Sequence, residues 1–196
     1  MFQWSRTRSP EEEAYQRIVA KGFKPAGIID VGAYKGDWTK LVRRLFGAPV
    51  LMVEAQLSKR SRLQAMCGNG IRLASNVLAA NAGEEVTFYE METGSSYFPE
   101  RSNAPRSQIT YVTDTLDNVA AGMNGPLFLK IDTQGAELEV LKGGKETLDR
   151  CEVVQLEVAL LPEQAEAVLD LPIDPHGGRG GIRPALSRRR FRGQRR

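Results

Sequence analysis

Short, wholly apolar runs recur along the chain, separated by segments whose apolar residues fall at helical spacing. GIIDV (27–31) and VLMVE (50–54) read as buried strands, LFLKI (127–131) is an all-apolar strand apart from Lys130, and IRLASNVL (71–78) and EVVQLEVA (152–159) are further strands. EVTFYEM (85–91) alternates instead, which suits a half-exposed strand, and ITYVT (109–113) is a further short strand. Between these last two, residues 93–108 are rich in Ser, Gly, Pro and Asn and read as a loop.

The intervening segments predict helices. Ser9 is a good N-cap, Pro10 suits the first helical position, Glu11 to Glu13 favour the positive end of the dipole, and Gly22 closes the helix. Residues 37–46 place Trp38, Leu41, Val42, Leu45 and Phe46 on one stripe, ended by Gly47. Ser58–Cys67 is a helix with Leu63, Met66 and Cys67 inward, and a short helix lies around Leu116–Ala120. Another covers Ala136–Lys142, broken by Gly143-Gly144 before Glu146–Leu148. Buried strands alternating with amphipathic helices give an α/β protein with a doubly wound, mostly parallel sheet. In such sheets ligands lie beyond the carboxyl ends of the strands, at the switch in strand order. Asp30, Glu54, Asn76 and Asp132 stand at or just beyond those ends.

Composition narrows the chemistry. The chain has 196 residues, 41% of them hydrophobic and 26% charged, as in one ordinary globular domain. It contains no run long enough to span a membrane and no apolar signal segment at its N-terminus, which points to a cytoplasmic protein. Its one histidine, His176, and its two cysteines, Cys67 and Cys151, cannot assemble a Ser-His-Asp or Cys-His site or a zinc centre, so no metal site is expected. The two cysteines read as small apolar residues. The net charge of +3 hides an asymmetry: residues 176–196 carry eight arginines and no acid, while residues 1–175 hold 19 basic and 24 acidic side chains. The sequence therefore divides into a domain over 1–175 and a disordered arginine- and glycine-rich tail over 176–196. An RNA-binding role would rest on the tail alone, which lacks aromatic interleaving beyond Phe191, and ranks last among the readings.

The first strand runs into Asp30-Val31-Gly32-Ala33-Tyr34-Lys35-Gly36, and an acid, Glu54, follows 24 residues after Asp30 at the end of the second strand. Gly32 permits a tight turn, Gly36 opens the next helix, and a carboxylate at the second strand end can accept both hydrogen bonds of a ribose diol. These features describe a site for an adenosyl ligand. An acid beside the glycine turn disfavours a pyrophosphate and favours S-adenosylmethionine, whose α-ammonium Asp30 can pair while its carboxylate meets the helix N-terminus.

The segments IIDVGAYKGDWT (28–39), MVEA (52–55), TLDNV (115–119), LKIDTQGAELEVLKGG (129–144) and VVQLEVALLP (153–162) resemble the FkbM family of S-adenosylmethionine-dependent methyltransferases. The resemblance implies the class I methyltransferase fold and O-methylation of a hydroxyl on a sugar, glycan or polyketide-type acceptor. It places Asp30, Gly32, Ala33 and Gly36 along the methionine end of the cofactor, Glu54 on the ribose, and Ala55 and Asn76 near the adenine. Asp132 then faces the methyl group and acceptor, as the first choice of base. Two departures, Tyr34 for the usual Asn and Ala55 for the usual Pro, remove no needed group. After residue 162 the family continues through a helix and two further strands, and those final strands are not recognisable in this sequence. The alternative is therefore a truncated or frameshifted methyltransferase that binds cofactor but is catalytically impaired.

Several residues carry a second, structural reading. Asp132 can N-cap the helix at Ala136, Glu137 can serve the first-turn dipole, and Lys130 can pair with an acid. Glu157 faces either solvent or the acceptor, and Tyr97 and Phe98 either line an acceptor pocket or anchor their loop.

Overall fold

The computed structural model describes residues 9–90 and 107–157. The expected tail, the segment after residue 162 where the family's last strands are sought, His176, Tyr97 and Phe98 lie outside the described residues.

Five strands form one parallel sheet: β1 (Gly27–Val31), β2 (Val50–Val53), β3 (Ile71–Ala74), β7 (Leu127–Ile131) and β8 (Cys151–Leu156), in the order β3-β2-β1-β7-β8. Strand order reverses between β1 and β7, so the switch point falls where the sequence places its acidic strand ends. The fold is α/β and Rossmann-like, with helices on both faces of the parallel sheet. β1, β2 and β7 are buried at every position, including Asp30 and Lys130, the two charges that interrupt their apolar runs.

Side-chain alternation sorts the core into two layers. Ile29, Val31, Leu51, Val53, Leu129 and Ile131 meet one face, covered by α4 (Leu116–Val119) and α5 (Glu137–Lys142) through Leu116, Val140 and Leu141. Ile28, Val50, Met52 and Phe128 meet the other, covered by α1 (Pro10–Ala20), α2 (Asp37–Phe46) and α3 (Leu57–Gln64) through Tyr15, Val42 and Leu63. Phe128 is the hub of that second layer: Trp38, Tyr15 and Phe46 pack against its ring at centroid distances of 5.4, 5.6 and 5.6 Å. Such tilted and edge-on contacts suit aromatic quadrupoles, and they fix the start of α2 to the sheet beside the site.

The expectation of a single strand over residues 71–78 is corrected. Ile71–Ala74 pairs with β2, whereas β4 (Val77–Leu78) joins a second, three-stranded sheet with β6 (Ser107–Asp114) and β5 (Glu85–Glu90), in the order β4-β6-β5. The break falls at Ser75-Asn76, and the Asn76 amide donates to the Asp114 carboxylate at the end of β6. Apolar residues on both sides of the break disguise it, because the change of sheet is made by pairing partners distant in sequence. The loop expected over 93–108 ends earlier as well, since Ser107 and Gln108 already pair with Glu90 and Tyr89. The double glycine after α5 acts as expected, and α6 (Lys145–Leu148) follows it directly. A Cβ at Gly143 would lie 2.2 Å from the Ala79 carbonyl oxygen, so that glycine also lets the α5 end pack on β4.

Candidate functional site

The site is built where β1, β2 and β7 end together. Gly32 adopts φ of +78°, and its amide donates to the Val53 carbonyl at 2.9 Å, while Ala33 does the same at 3.1 Å. The turn is pressed against β7: the Asp132 amide bonds the Val31 carbonyl at 3.0 Å, and a Cβ on Gly32 would stand 1.9 Å from the Asp132 carbonyl oxygen. No side chain fits there. Gly32→Ala is expected to cost about 2–3 kcal/mol of stability, from the left-handed backbone and forced separation of two strand ends. Thermal unfolding beside wild type checks it. Gly36, at φ +75°, caps α2 and packs on Met66 and Leu63 of α3.

Glu54 closes the neighbouring side. It is 8% exposed. One carboxylate oxygen accepts the Tyr34 amide at 2.6 Å and the other accepts the Gln56 amide at 2.8 Å. The acid therefore clips the β1 turn to its own loop, and each oxygen keeps a further lone pair. Burial pushes its carboxyl above the usual glutamate range, against the pull of those backbone donors. Tyr34, at φ +50°, turns its ring beneath two ammonium groups, with Lys35 and Lys59 nitrogens 4.7 and 4.8 Å from the centroid. Ala55 is half-buried, and its carbonyl accepts the Tyr111 hydroxyl.

Beneath the turn lies a row of charges. Asp30 and Lys130 are register partners on adjacent strands, facing the α2 side of the sheet. Asp30 is fully buried; one oxygen accepts the Thr39 hydroxyl at 2.6 Å and the other meets the Lys130 ammonium at 3.4 Å. The same ammonium reaches Asp132 at 3.4 Å and stands 5.6 Å from the Trp38 ring centroid. Burial alone would lower the Lys130 pKa, but the two carboxylates outweigh it and hold the ammonium above the usual lysine range. Asp132, with a side chain 24% exposed, is the open end of this row.

The pairing reading of Lys130 is thus what its surroundings display. The reading of Asp132 as a helix cap is corrected: α5 has no side-chain cap, and Asp132 instead accepts Lys130 and the Gln134 amide at 2.9 Å. The carboxylate that orders this loop is Glu137, buried, which accepts the amides of Thr133 and Gly135 at 3.1 and 2.9 Å. That leaves Asp132 partly exposed and bonded to Lys130 and Gln134 rather than to the helix. Glu157 follows β8, with its amide bonded to the Ile131 carbonyl at 3.0 Å beside the end of β7, and its side chain is half-buried. Cys151 is buried, its thiol pushed up to about 12 by burial despite Arg150, and Cys67 is half-buried. Neither belongs to the site.

Asp30, Gly32, Ala33, Gly36, Glu54 and Asp132 are therefore gathered around one switch point, and Ala55 and Asn76 lie along the next strand ends. Thr39 and Asp114 had no place in the sequence reading. A signal for Thr39 existed: it is a fully buried hydroxyl in the first turn of α2, nine residues after Asp30. Asp114 had none, because its partner lies 38 residues away. Among the described residues no helix is long and apolar enough to cross a membrane.

A family model described as the methyltransferase FkbM domain matches residues 30–178. No curated protein and no solved structure matches the chain.

Proposed function

The chain belongs to the FkbM methyltransferase family, and from that premise we propose that it transfers a methyl group from S-adenosylmethionine to a hydroxyl of a sugar, glycan or polyketide-type acceptor. The single observation that carries the reading is Glu54, a buried acid held by two backbone amides beside a glycine turn that admits no side chain.

The donor set suits this cofactor. Glu54 has acceptor capacity left for the two ribose hydroxyls, and the Gly32–Gly36 turn offers bare main chain ahead of the ten-residue helix α2, whose N-terminus suits a carboxylate. Ala55 and Asn76 supply the adenine end. Asp30 acts from below, because both its oxygens are engaged by Thr39 and Lys130. Through Lys130 it steadies Asp132, which stands at the mouth where donor and acceptor meet.

When bound, the cofactor supplies a methyl carbon already activated by a sulfonium leaving group. What remains for the protein is positioning, which can contribute about 7–11 kcal/mol to a bimolecular step. Asp132 orients the acceptor hydroxyl and takes its proton as the oxygen–carbon bond forms. The domain over residues 1–175 and the arginine-rich segment over 176–196 are kept as separate parts of this proposal.

Acidification supplies a prediction. A protonated Glu54 loses acceptor capacity, and its pKa lies above the ordinary 4.5. Donor affinity is therefore expected to fall as pH drops through a window above that of an unperturbed glutamate, and stability to move oppositely, because the folded state holds this proton more tightly than the unfolded chain. Calorimetric titration of S-adenosylhomocysteine at successively lower pH reads the first, and the Glu54→Gln variant should lack that limb. The function itself is tested by product assays across hydroxylated acceptors with labelled methyl donor, where absence of any methylated oxygen would refute it.

A further inference from the structure

Asp114 ends β6 and touches none of the groups assigned above except Asn76. Its carboxylate accepts three donors. One oxygen accepts the Thr115 amide at 2.8 Å and the Asn118 side-chain amide at 2.9 Å; the other accepts the Asn76 side-chain amide at 3.1 Å. A carboxylate only accepts, so Asn76 must present its NH2 group to Asp114. An amide is planar, and fixing its nitrogen fixes its oxygen. Among the described residues that nitrogen is the part of the Asn76 side chain with a partner, which leaves the carbonyl oxygen as the group it offers to a ligand.

Asn76 follows β3, next to the strand whose end carries Glu54: the Glu54 amide bonds the Ala74 carbonyl at 3.0 Å. We propose that Asp114 is a positioning residue that locks Asn76 as a pure hydrogen-bond acceptor, so that the site selects a purine bearing a 6-amino group over one bearing a 6-oxo group. This rests on the reading of the site as one for an adenosyl cofactor. The chemistry is one-sided: adenine offers N–H at position 6, whereas hypoxanthine offers an oxygen that would face the Asn76 oxygen. An unanchored asparagine could turn over and accept either base; an anchored one cannot. The cost of the wrong base is a buried acceptor facing an acceptor, which corresponds to a preference of about tenfold or more.

The test is calorimetric titration of the purified full chain with S-adenosylhomocysteine and with S-inosylhomocysteine, its deaminated counterpart. Wild type should prefer the first by about tenfold or more. In Asp114→Asn, the neighbouring amide can face Asn76 with either end, so the preference should shrink to within about twofold, with the 6-oxo compound binding better than it does to wild type. Should that variant fail to fold, Asn76→Ala serves instead, and it too should lose the preference by weakening only the 6-amino compound. A merely structural role for Asp114 would weaken both compounds equally and keep their ratio, and that result overturns the proposal. Equal affinities in wild type overturn it as well, while leaving the cofactor reading intact. Failure of wild type to bind either compound overturns the cofactor reading and this inference with it.

Discussion

Replacing Lys130 with methionine is expected to lower the unfolding free energy by about 3–5 kcal/mol, the usual result of stranding one partner of a buried ion pair. Its side chain is 7% exposed and Asp30 is fully buried, so removing the cation leaves a carboxylate with, among the described residues, the Thr39 hydroxyl as its remaining side-chain partner. Methionine fills nearly the same space, which separates the electrostatic loss from a cavity. The double variant Lys130→Met with Asp30→Asn should recover most of that loss, because neither charge is then buried. The contribution is steady across neutral pH. A lysine pKa raised in the folded state stabilises below the unfolded value and is lost only as pH climbs past about 10.5 and through the folded pKa. Denaturant unfolding of the three proteins checks this, and a single variant within about 1 kcal/mol of wild type would mean that the row of charges is not a structural element.

Glu54→Gln is expected to weaken the methyl donor by about tenfold to a hundredfold while leaving the fold close to wild type in stability. Two opposing changes explain why. Burial penalises the charged form of Glu54, so a neutral side chain removes a desolvation cost. Yet glutamine has one acceptor oxygen for two backbone donors, the amides of Tyr34 and Gln56, and its NH2 must face one of them. The β1 turn is then unclipped from β2 and the ribose loses its charged acceptor. Calorimetry on the variant, with a melting curve to show that it is folded, reads the effect; full affinity in a folded variant would remove Glu54 from the account.

Much of this architecture is written in local patterns. The strands β1, β2, β7 and β8 and the helices α1, α2 and α5 announce themselves through largely apolar runs, an N-cap serine and glycine stops, because each is decided by neighbours a few residues away. The acids at the strand ends are legible for the same reason: a charge closing an apolar strand has few structural excuses. The sequence is silent where partners lie far apart. The division of residues 71–78 between two sheets depends on β6, which arrives 38 residues later in the pair of Asn76 with Asp114. Asp30 shows the same limit from another side. Its strand-end position suggests a residue that meets ligand, but Lys130, a hundred residues on, occupies one oxygen and keeps it beneath the surface. The capping role that spacing suggests for Asp132 is not filled by it, and Glu137 orders the loop instead, since a chain that passes through Gln134 at φ +53° and Gly135 at φ +106° brings the loop amides onto the later acid.

The most direct test is a crystal of the chain grown or soaked with S-adenosylhomocysteine. The nucleoside should lie across the carboxyl ends of β1 and β2, its ribose hydroxyls on the Glu54 oxygens and its thioether sulfur turned towards Asp132. Density elsewhere, or a ribose that ignores Glu54, would contradict the assignment of this cleft.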